Sequence, residues 1–552
     1  MHIANIIFSL FLLLIKLSLS KNFPSVKSHL GEIKGHYKIS NRGNNYEAYE
    51  GIPYAKPPIG NRRFMPPEPM QPWKGEIVAN TFHDMCIGYN RDFKENEYVR
   101  GVEDCLYMNI YTPIKKNNTS LPVILWIYAG GFQFATIGGT EQHYLIDHDV
   151  IFISFNYRHG TLGFLSTEDE VVAGNMGLKD QAMALKWVSD NIECFGGDPK
   201  KITLAGLSAG AASVHYHYLS PMSKGLFRSG ISFSGTAFNS WTQAKNSREK
   251  AIKLGKLMNC PIGDIINMVD CLRTRSAYDI VSAQINFMPW HLNEFSPFGP
   301  VIEEYTPDPF INRSPIDVIN TGDVYDAPWI TGVVKEEGLY AVAEFVTNET
   351  AFQELNDNWN EIAPQLLQFY YTIPKKDHAS VSQKIRKHYF GDQLITRGNF
   401  INLTHLNGDR VFVVDAEKAA RAQAKVNRSP VWFYYYSYRA RSSLSDSMSN
   451  TTENFGVSHA DDVLLILGNH MINPTNNDRD FAMHGDLLKF WLSVAREGAP
   501  NFGPQWSSIN PNDADLKYLH MRASGDFKEE SNNNLGEKIF WETIDFNENK
   551  PY

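Results

Sequence analysis

The chain lacks the features that divide a long polypeptide into separate units. Its 552 residues contain no Ser/Gly/Pro-rich linker, no low-complexity segment and no internal repeat. One large core with long surface loops therefore describes it better than several small domains in series. An excess of basic residues is also absent, because the formal net charge is −9. A chain with this charge is poorly suited to nucleic acid, so we expect no nucleic-acid partner.

Long apolar runs are absent except at the start of the chain. Residues 1–20 are predominantly apolar, and Ser18 and Ser20 supply small residues before an expected cleavage site. This pattern is typical of a secretory signal peptide, which leaves residues 21–552 as a single mature domain. A membrane anchor is the alternative, although Lys16 interrupts the run that an anchor would need. The rest of the chain predicts neither a later span nor a lipid anchor.

Cysteine is scarce, with five residues in the whole chain. Cys86 and Cys105 are near enough in sequence to close a local loop, and so are Cys260 and Cys271. Loops of this size stabilise a fold by roughly 3 kcal/mol in the chain-entropy model. Cys194 is left over, and we expect it to be buried and unpaired. None of the spacings resembles a set of zinc ligands, so no metal site is predicted.

Asn-X-Ser/Thr sequons are frequent, which agrees with a secreted and glycosylated surface. They begin at Asn117, Asn118, Asn312, Asn348, Asn402, Asn427 and Asn450. A proline directly follows the sequons at Asn312 and Asn427 and should weaken both. Asn450 lies in the most polar setting of the set.

The segment 195–220 contains the first candidate for a functional site. Lys201–Ala205 is typical of a buried strand, and Ala209–Leu219, rich in small residues, is typical of a closely packed helix. Between them lies Gly206-Leu207-Ser208-Ala209-Gly210, a G-x-S-x-G nucleophile elbow. The two glycines let strand and helix approach, so that the Ser208 hydroxyl projects from the turn. The alternative is that the G-x-S-x-G pattern occurs here by chance. Candidate partner residues elsewhere in the sequence must distinguish the two interpretations.

The regions before the elbow predict an α/β protein. Pro122–Tyr128 and Val150–Tyr157 are continuous apolar runs, which favour strands buried on both faces of a mainly parallel sheet. Leu178–Phe195 carries apolar residues at helical spacing and ends at two glycines, so we predict an amphipathic helix there. The β-α-β alternation is typical of sheets whose chemistry collects at the carboxyl ends of the strands.

Two consecutive glycines, Gly130 and Gly131, directly follow the first of these strands. Backbone N–H groups in such a loop can point at a substrate oxygen. Together with the N–H of Ala209 they would form an oxyanion hole for a tetrahedral intermediate. A plain tight turn is the alternative interpretation.

A general base must be chosen among 17 histidines. His215 and His217 are excluded, because the helix that starts at Ser208 carries them roughly 10–13 Å along its axis. His459 lies between a glycine and an apolar run, in a late loop suited to presenting a base. It is therefore the preferred candidate, although an isolated loop histidine is more often a surface residue.

The acid that orients this base is sought in the loop after a short strand predicted at Ala327–Ile330. Glu337, directly before a glycine, is the preferred candidate. Glu336, Asp461 and Asp462 are the alternatives, which would otherwise face solvent or hold loops. The chain order is then serine, glutamate, histidine, as in α/β-hydrolases.

Short motifs along nearly the whole chain form an ordered set. They are Gly-Ile-Pro-Tyr-Ala-Lys-Pro-Pro at 51–58, Glu-Asp-Cys-Leu-Tyr-Met-Asn-Ile-Tyr at 103–111, Asn-Tyr-Arg at 156–158, Gly-Asn-Met-Gly-Leu-Lys-Asp-Gln at 174–181, Phe-Gly-Gly-Asp-Pro at 195–199, the elbow, Glu-Glu-Gly at 336–338 and Gly-Val-Ser-His at 456–459. From about Val26 to Trp541 the chain resembles the type-B carboxylesterases of the cholinesterase-like group. The elbow with Val214-His-Tyr-His217 is similar to secreted insect β-esterases and venom carboxylesterases.

The resemblance implies an α/β-hydrolase fold with a large, mostly parallel central sheet flanked by helices. It implies a small-molecule ester as substrate, hydrolysed through an acyl-enzyme without metal or cofactor. The implied residue roles are Ser208 as nucleophile, His459 as base, Glu337 as acid, Gly130, Gly131 and Ala209 as oxyanion donors, and Ser234 as a serine that supports the triad. Cys86–Cys105 and Cys260–Cys271 match the two disulfides of the family.

Departures from the family pattern bear on the substrate. Ala129 replaces the first glycine of the oxyanion loop, which could narrow the pocket. Leu207 stands where cholinesterases carry an acid, and no Trp lies between Cys86 and Cys105 to receive a quaternary ammonium. A neutral ester is therefore expected. Juvenile-hormone hydrolysis is a weaker alternative, because the glutamine of those esterases is missing before the serine. The second alternative is a catalytically silent adhesion ectodomain, although relatives of that kind lack the serine or the histidine.

Overall fold

The structure is a computed structural model of the 552-residue chain. It describes residues 23–90, 98–114, 120–135, 142–291, 293–469, 471–548 and 550. The expected signal peptide and the sequons at Asn117 and Asn118 lie outside the described residues. None of the helices in the described ranges is long and apolar enough to cross a membrane.

The described strands, numbered in chain order, are β1 Ser25–Ser28, β2 Gly31–Lys34, β3 His36–Ile39, β4 Asn45–Pro53, β5 Glu76–Val78, β6 Gly88–Tyr89, β7 Val99–Arg100, β8 Tyr107–Pro113, β9 Leu121–Ile127, β10 Ile151–Phe155, β11 Gly197–Leu207, β12 Ser229–Phe233, β13 Trp329–Val334, β14 Val431–Tyr436, β15 Leu516–Ala523 and β16 Asp526–Asn532.

The described α-helices are α1 Gln142–Leu145, α2 Gly160–Phe164, α3 Met176–Asn191, α4 Ala209–Leu219, α5 Ser247–Leu257, α6 Ile265–Thr274, α7 Ala277–Ser282, α8 Pro315–Asn320, α9 Leu339–Val342, α10 Glu349–Asp357, α11 Trp359–Leu366, α12 His378–Phe390, α13 Phe400–Gly408, α14 Val414–Val426, α15 Leu444–Ser449, α16 Asp461–Leu467, α17 Asp478–Glu497 and α18 Lys538–Trp541. A π-helical segment, Asp409–Val413, joins α13 to α14.

An 11-stranded mixed sheet forms the centre of the fold, in the order β16-β15-β14-β13-β12-β11-β9-β10-β8-β4-β3. The strands from β10 to β15 pair in parallel, and antiparallel strands complete both edges. Both β9 and β10 are buried at every position, which explains their continuous apolar sequences. The predicted fold class, a large mostly parallel sheet flanked by helices, is confirmed.

The strand predicted at Ala327–Ile330 needs a correction. Strand β13 begins two residues later, at Trp329, and continues to Val334. The sequence reading places residues 331–334 in the loop that follows the strand. They belong to the sheet because each pairs with a residue of β14, from Thr331 opposite Phe433 to Val334 opposite Tyr436.

The cysteines form two disulfides, Cys86–Cys105 and Cys260–Cys271. Cys194 is unpaired, but it is exposed, so the expectation of burial is wrong. It lies in the 3-10 turn Ile192–Phe195, whose first and last residues enter the core. The two middle residues of the turn, Glu193 and Cys194, face solvent instead.

Candidate active site

Ser208 occupies a sharp turn between β11 and α4. Its backbone has φ 58° and ψ −117°, a conformation that a residue with a side chain rarely adopts. Two hydrogen bonds hold it there: the Ser208 N–H donates to the Phe233 carbonyl at 2.8 Å, and the Ser208 carbonyl accepts from the Ala212 N–H at 2.9 Å. The strained turn therefore places the hydroxyl at the carboxyl end of the central strand.

The glycines on either side of Ser208 are required by close backbone contacts. A Cβ atom on Gly206 would lie 2.4 Å from the Gly210 carbonyl carbon, and one on Gly210 would lie 2.0 Å from the Ile127 oxygen. Neither position has room for a side chain. The G-x-S-x-G spacing therefore reflects how tightly α4 packs against β11 and the end of β9.

Gly130 and Gly131 form a second turn next to the elbow, with φ 132° and 57°. The Gly130 carbonyl accepts from the N–H groups of Gln133 (2.8 Å) and Phe134 (3.2 Å). In a trans peptide the Gly131 N–H points opposite to the Gly130 carbonyl, so these bonds also fix the direction of that N–H. A Cβ on Gly130 would lie 1.9 Å from the Phe134 oxygen, which excludes any other residue.

The N–H groups of Gly130, Gly131 and Ala209 donate to no backbone carbonyl in the loops and turns of the described chain. They are the candidate donors to an oxygen of a ligand. Ala209 is the first residue of α4, where the helix leaves N–H groups without intrahelical acceptors.

Gln133 and Ser296 brace the same loop, and sequence reasoning missed both. The Gly131 carbonyl accepts from Ser296 Oγ at 2.6 Å and from Gln133 Nε2 at 2.9 Å. Gln133 Nε2 also donates to Ser296 Oγ (3.0 Å) and to the Phe298 carbonyl (2.5 Å). Gln133 and Ser296 are 163 positions apart, so no local pattern could have paired them.

His459 is held by Glu337. The distance from His459 Nδ1 to Glu337 Oε2 is 2.6 Å, and both side chains are almost completely buried. The other carboxylate oxygen of Glu337 accepts from the Val334 N–H at 2.9 Å. His459 Nε2 is buried without a hydrogen-bond partner among the described residues. One ring nitrogen is thus fixed by a carboxylate, and the other is available for a proton.

The three alternative acids hold the loop that carries His459. Glu336 Oε2 accepts from the Val457 N–H at 2.7 Å. Asp461 Oδ2 accepts from the Ser458 N–H at 2.9 Å, and Asp462 Oδ2 accepts from the Tyr434 hydroxyl at 2.8 Å. Burial raises the pKa of Asp461 to about 7 and that of Asp462 to about 6. All three are buried, so none faces solvent.

The two histidines that the sequence excludes as general bases lie on α4 and are buried in the core. His215 stacks on Trp329 with ring centroids 4.3 Å apart, and His217 contacts Ser223 Oγ at 2.6 Å and Gln181 Oε1 at 3.1 Å. Burial lowers the pKa of both to about 3. They are therefore neutral structural residues.

Ser234 follows β12, between the strands that precede Ser208 and Glu337. Its N–H donates to the Gly332 carbonyl at 3.0 Å, and its buried hydroxyl has no hydrogen-bond partner among the described residues. A Cβ on the next residue, Gly235, would lie 2.2 Å from the backbone carbonyl oxygen of Ser208. The segment thus supports the elbow through its backbone, and no side-chain hydrogen bond joins Ser234 to His459 or Glu337.

A cleft lies between the oxyanion loop and Tyr340, a residue that packs on His459. Gly131 lines one part of it, and Tyr340 lines another while packing on the His459 ring with centroids 5.3 Å apart. Phe412, from the π-helical segment, packs on the same ring at 4.5 Å. The cleft is therefore bounded by the oxyanion loop and by a side chain in contact with the base. Its other lining residues are Tyr89, Gln133, Phe134, Met288 and Phe295.

No group of three or more His, Cys, Asp or Glu side chains in the described ranges is placed to hold a metal ion. The candidate reactive groups of this region are the Ser208 hydroxyl, the carboxylate-bound imidazole of His459 and the N–H groups of Gly130, Gly131 and Ala209.

The proteins that this chain resembles are carboxylesterases and related ester hydrolases. Residues 22–538 match the model of the carboxylesterase family. The chain belongs to that family. This carboxylesterase is a serine hydrolase of carboxylic ester bonds, as predicted. It is 49% identical over 534 residues to venom carboxylesterase-6 of Apis mellifera, with 96% of each chain covered.

Two further relatives show how widely the similarity extends. A carboxylic ester hydrolase of Bombus ignitus is 49% identical over 532 residues, covering 96% of this chain and 95% of the relative. The juvenile hormone esterase of Tribolium castaneum is 34% identical over 562 residues, with 96% and 95% covered. The predicted resemblance to insect esterases of the venom-carboxylesterase kind is confirmed.

Proposed function

We propose that the protein is a secreted carboxylesterase that hydrolyses neutral esters through a Ser208-His459-Glu337 triad. The observation that carries the proposal is the buried contact of 2.6 Å between His459 Nδ1 and Glu337 Oε2. It leaves His459 Nε2 without a hydrogen-bond partner among the described residues. The His459 ring packs against Tyr340, which lines the same cleft as Gly131 of the oxyanion loop.

The proposed reaction has two acyl-transfer steps. His459 Nε2 takes the proton of the Ser208 hydroxyl while Oγ attacks the ester carbonyl carbon. Glu337 holds the Nδ1 proton and stabilises the imidazolium. When the tetrahedral intermediate collapses, His459 gives the proton to the departing alcohol. Water then attacks the acyl-enzyme with the same base, which releases the acid and restores Ser208.

The charged oxygen of both tetrahedral intermediates would bind the N–H groups of Gly130, Gly131 and Ala209. Each donor of this kind typically contributes ~10²–10³ in rate, because it is already oriented when the charge develops. The bracing of the loop by Gln133 and Ser296 supports the proposal.

The lining of the cleft favours a neutral substrate. Its described side chains are mostly aromatic or aliphatic, and none carries a charge. Leu207, the residue before the serine, is buried and apolar. A cationic alcohol group would therefore lose its hydration without gaining a carboxylate partner. Neutral esters fit this lining better.

Secretion is proposed from the amino-terminal apolar segment and from the two disulfides, which persist in oxidising compartments. The name of the Apis mellifera relative, a venom carboxylesterase, agrees with this placement. Among the described sequons, Asn312 and Asn450 are exposed, and the side-chain amides of Asn402 and Asn427 donate to backbone carbonyls. We therefore expect Asn450, which has no following proline, to accept a glycan most readily.

The test compares Ser208→Ala and His459→Ala with the wild type in the hydrolysis of p-nitrophenyl butyrate. Both changes should lower kcat by several orders of magnitude and leave the circular dichroism spectrum unchanged. Ser524→Ala is the control, because Ser524 is exposed at the surface, and it should retain full activity. Activity that persists in either of the first two variants would place the reaction elsewhere.

A further inference from the structure

A second cleft lies beside the first and is more polar. Its lining includes Ser240, Trp241, Lys245, Ser296 and Thr372. We name it the Lys245 cleft. It adjoins the active site because Ser296 contacts the Gly131 carbonyl, and because Trp241 packs on Phe412 with ring centroids 6.0 Å apart.

Two hydroxyl groups of the Lys245 cleft have no partner within the described chain. Ser240 Oγ and Thr372 Oγ1 are buried and make no hydrogen bond, and their residues are 7% and 4% exposed. Buried hydroxyls are nearly always hydrogen-bonded, because their loss of hydration is otherwise uncompensated. Two such groups in the lining of one cleft indicate a polar ligand.

Lys245 adds an unmatched positive charge. Its ammonium group makes no ion pair with any acid of the described chain, and burial lowers its pKa. Glu548 attracts it electrostatically, but the Glu548 carboxylate binds Arg410. The other lysine at this place, Lys250, is paired with Glu294 at 2.8 Å. Of the two charged residues that line the cleft, Glu294 is therefore paired, whereas Lys245 forms no ion pair within the described chain.

We propose that the Lys245 cleft is a binding site for a small monocarboxylate. The carboxylate would pair with the Lys245 ammonium and accept hydrogen bonds from the hydroxyls of Ser240 and Thr372. One negative charge matches the one unpaired cation. A phosphate dianion would keep one negative charge that Lys245 does not neutralise. That charge would be repelled by Glu294, which also lines the cleft.

The site does not depend on the proposed triad, so it can be tested in protein that cannot turn over. Full-length Ser208→Ala protein is titrated with sodium butyrate by isothermal titration calorimetry. The result expected is saturable binding of one butyrate, with at least tenfold weaker binding of the neutral analogue butyramide. Absence of saturable binding, or equal affinity for butyramide, would overturn the proposal.

Variants assign the binding to this cleft. Lys245→Met in the same background should weaken butyrate binding at least tenfold, because it removes the charge and keeps the chain length. Lys224→Met is the matched control, since Lys224 lies at the surface with 59% of its side chain exposed. Unchanged affinity in Lys245→Met would show that butyrate binds in the catalytic cleft or elsewhere, and would contradict the proposal.

Two measurements keep the proposal falsifiable if Lys245→Met does not fold. Thr372→Val is close in shape and removes one hydroxyl, so it should weaken butyrate binding severalfold; unchanged affinity counts against the site. Inorganic phosphate is the competing probe. Displacement of butyrate by a lower concentration of phosphate than of acetate would overturn the assignment to a monocarboxylate.

Discussion

Two adjacent glutamates have different partners in this carboxylesterase. Glu337 contacts the imidazole of His459, whereas Glu336 accepts from the backbone N–H of Val457. The sequence could reduce the orienting acid to a few candidates, since a Glu-Glu-Gly segment follows a strand. It could not decide between neighbours, because the direction of each side chain is set by contacts with a loop about 120 positions away.

The different contacts of Glu337 and Glu336 predict different effects of their substitution on kcat. Glu337→Gln should lower kcat for p-nitrophenyl butyrate by ~10²–10⁴, because the amide cannot stabilise the imidazolium and can hold the ring in the wrong tautomer. Glu336→Gln should have a smaller effect on kcat, since it keeps an oxygen that can accept from Val457. Equal losses of kcat in the two variants, both measured on folded protein, would refute the assignment.

Gln133 is expected to position the oxyanion loop. Gln133→Met keeps the length of the side chain but removes the donor to the Gly131 carbonyl, so kcat should fall ~10-fold or more while KM changes little. Ser296→Ala acts on the same carbonyl, and the double variant should lose less than the product of the two single losses.

A purely structural role for Gln133 would give another pattern. Gln133→Met would then lower the melting temperature without changing kcat at a temperature where the protein is folded. Steady-state kinetics and thermal unfolding of the same preparations separate the two cases.

At the level of elements, the elbow was predictable because its requirements are local. Strand, glycines and helix occupy one short segment, and only glycine fits at positions 206 and 210. The helix before it was predicted less completely. Helix α3 buries the predicted apolar stripe, but it also buries Lys179 against Glu303 (2.5 Å) and Asp180 against Arg158 (2.7 Å). These partners come from distant loops, so helical spacing could not reveal them.

The His459 loop and the π-helical segment show the same limit. Phe412 contacts the His459 ring from the π-helical segment. No periodic pattern in the sequence predicts a π-helix at that place. Backbone contacts from Glu336 and Asp461 fix the loop, and the sequence could identify these acids only as alternatives for the catalytic one.

Asp462 gives this loop a pH-dependent stability. Burial raises its pKa to about 6 from the usual 3.8, so the folded protein holds a proton that the unfolded chain releases between these values. The free energy of unfolding should therefore decrease as the pH rises from ~4 to ~6 through this group. Asp462→Asn stays neutral and can still accept from Tyr434, so it should remove that contribution.

Urea unfolding of wild type and Asp462→Asn at several pH values measures the contribution as a difference. The variant should gain stability relative to the wild type on going from pH 5 to pH 7.5. A constant difference across that range would contradict the account of Asp462.

At the scale of the whole molecule, the family motifs and the apolar strands were enough to predict the fold class. A parallel sheet needs continuous apolar strands and joins them by helices, and both are visible in the sequence. The cleft was not predictable, because its walls come from segments as distant as Tyr89, Gly131, Phe295 and Tyr340. Cys194 was misjudged because the burial of a residue in a tight turn depends on which way that turn faces.

The disulfide Cys260–Cys271 should contribute to stability and not to catalysis. Its cysteines are not among the residues that line the active-site cleft. The double change Cys260→Ser and Cys271→Ser should lower the free energy of unfolding by ~2–4 kcal/mol. The kcat for p-nitrophenyl butyrate should stay within about twofold. A large loss of kcat in folded protein would mean that this loop shapes the cleft.

We propose Ser208 as the nucleophile of this carboxylesterase. This proposal is tested most directly by treating the folded protein with a fluorophosphonate ester and mapping the adduct by peptide mass spectrometry. We predict one phosphonyl group on the Oγ of Ser208, loss of esterase activity in proportion to labelling, and no labelling after His459→Ala on the same time scale. An adduct on another residue, or full inhibition with Ser208 unmodified, would contradict it.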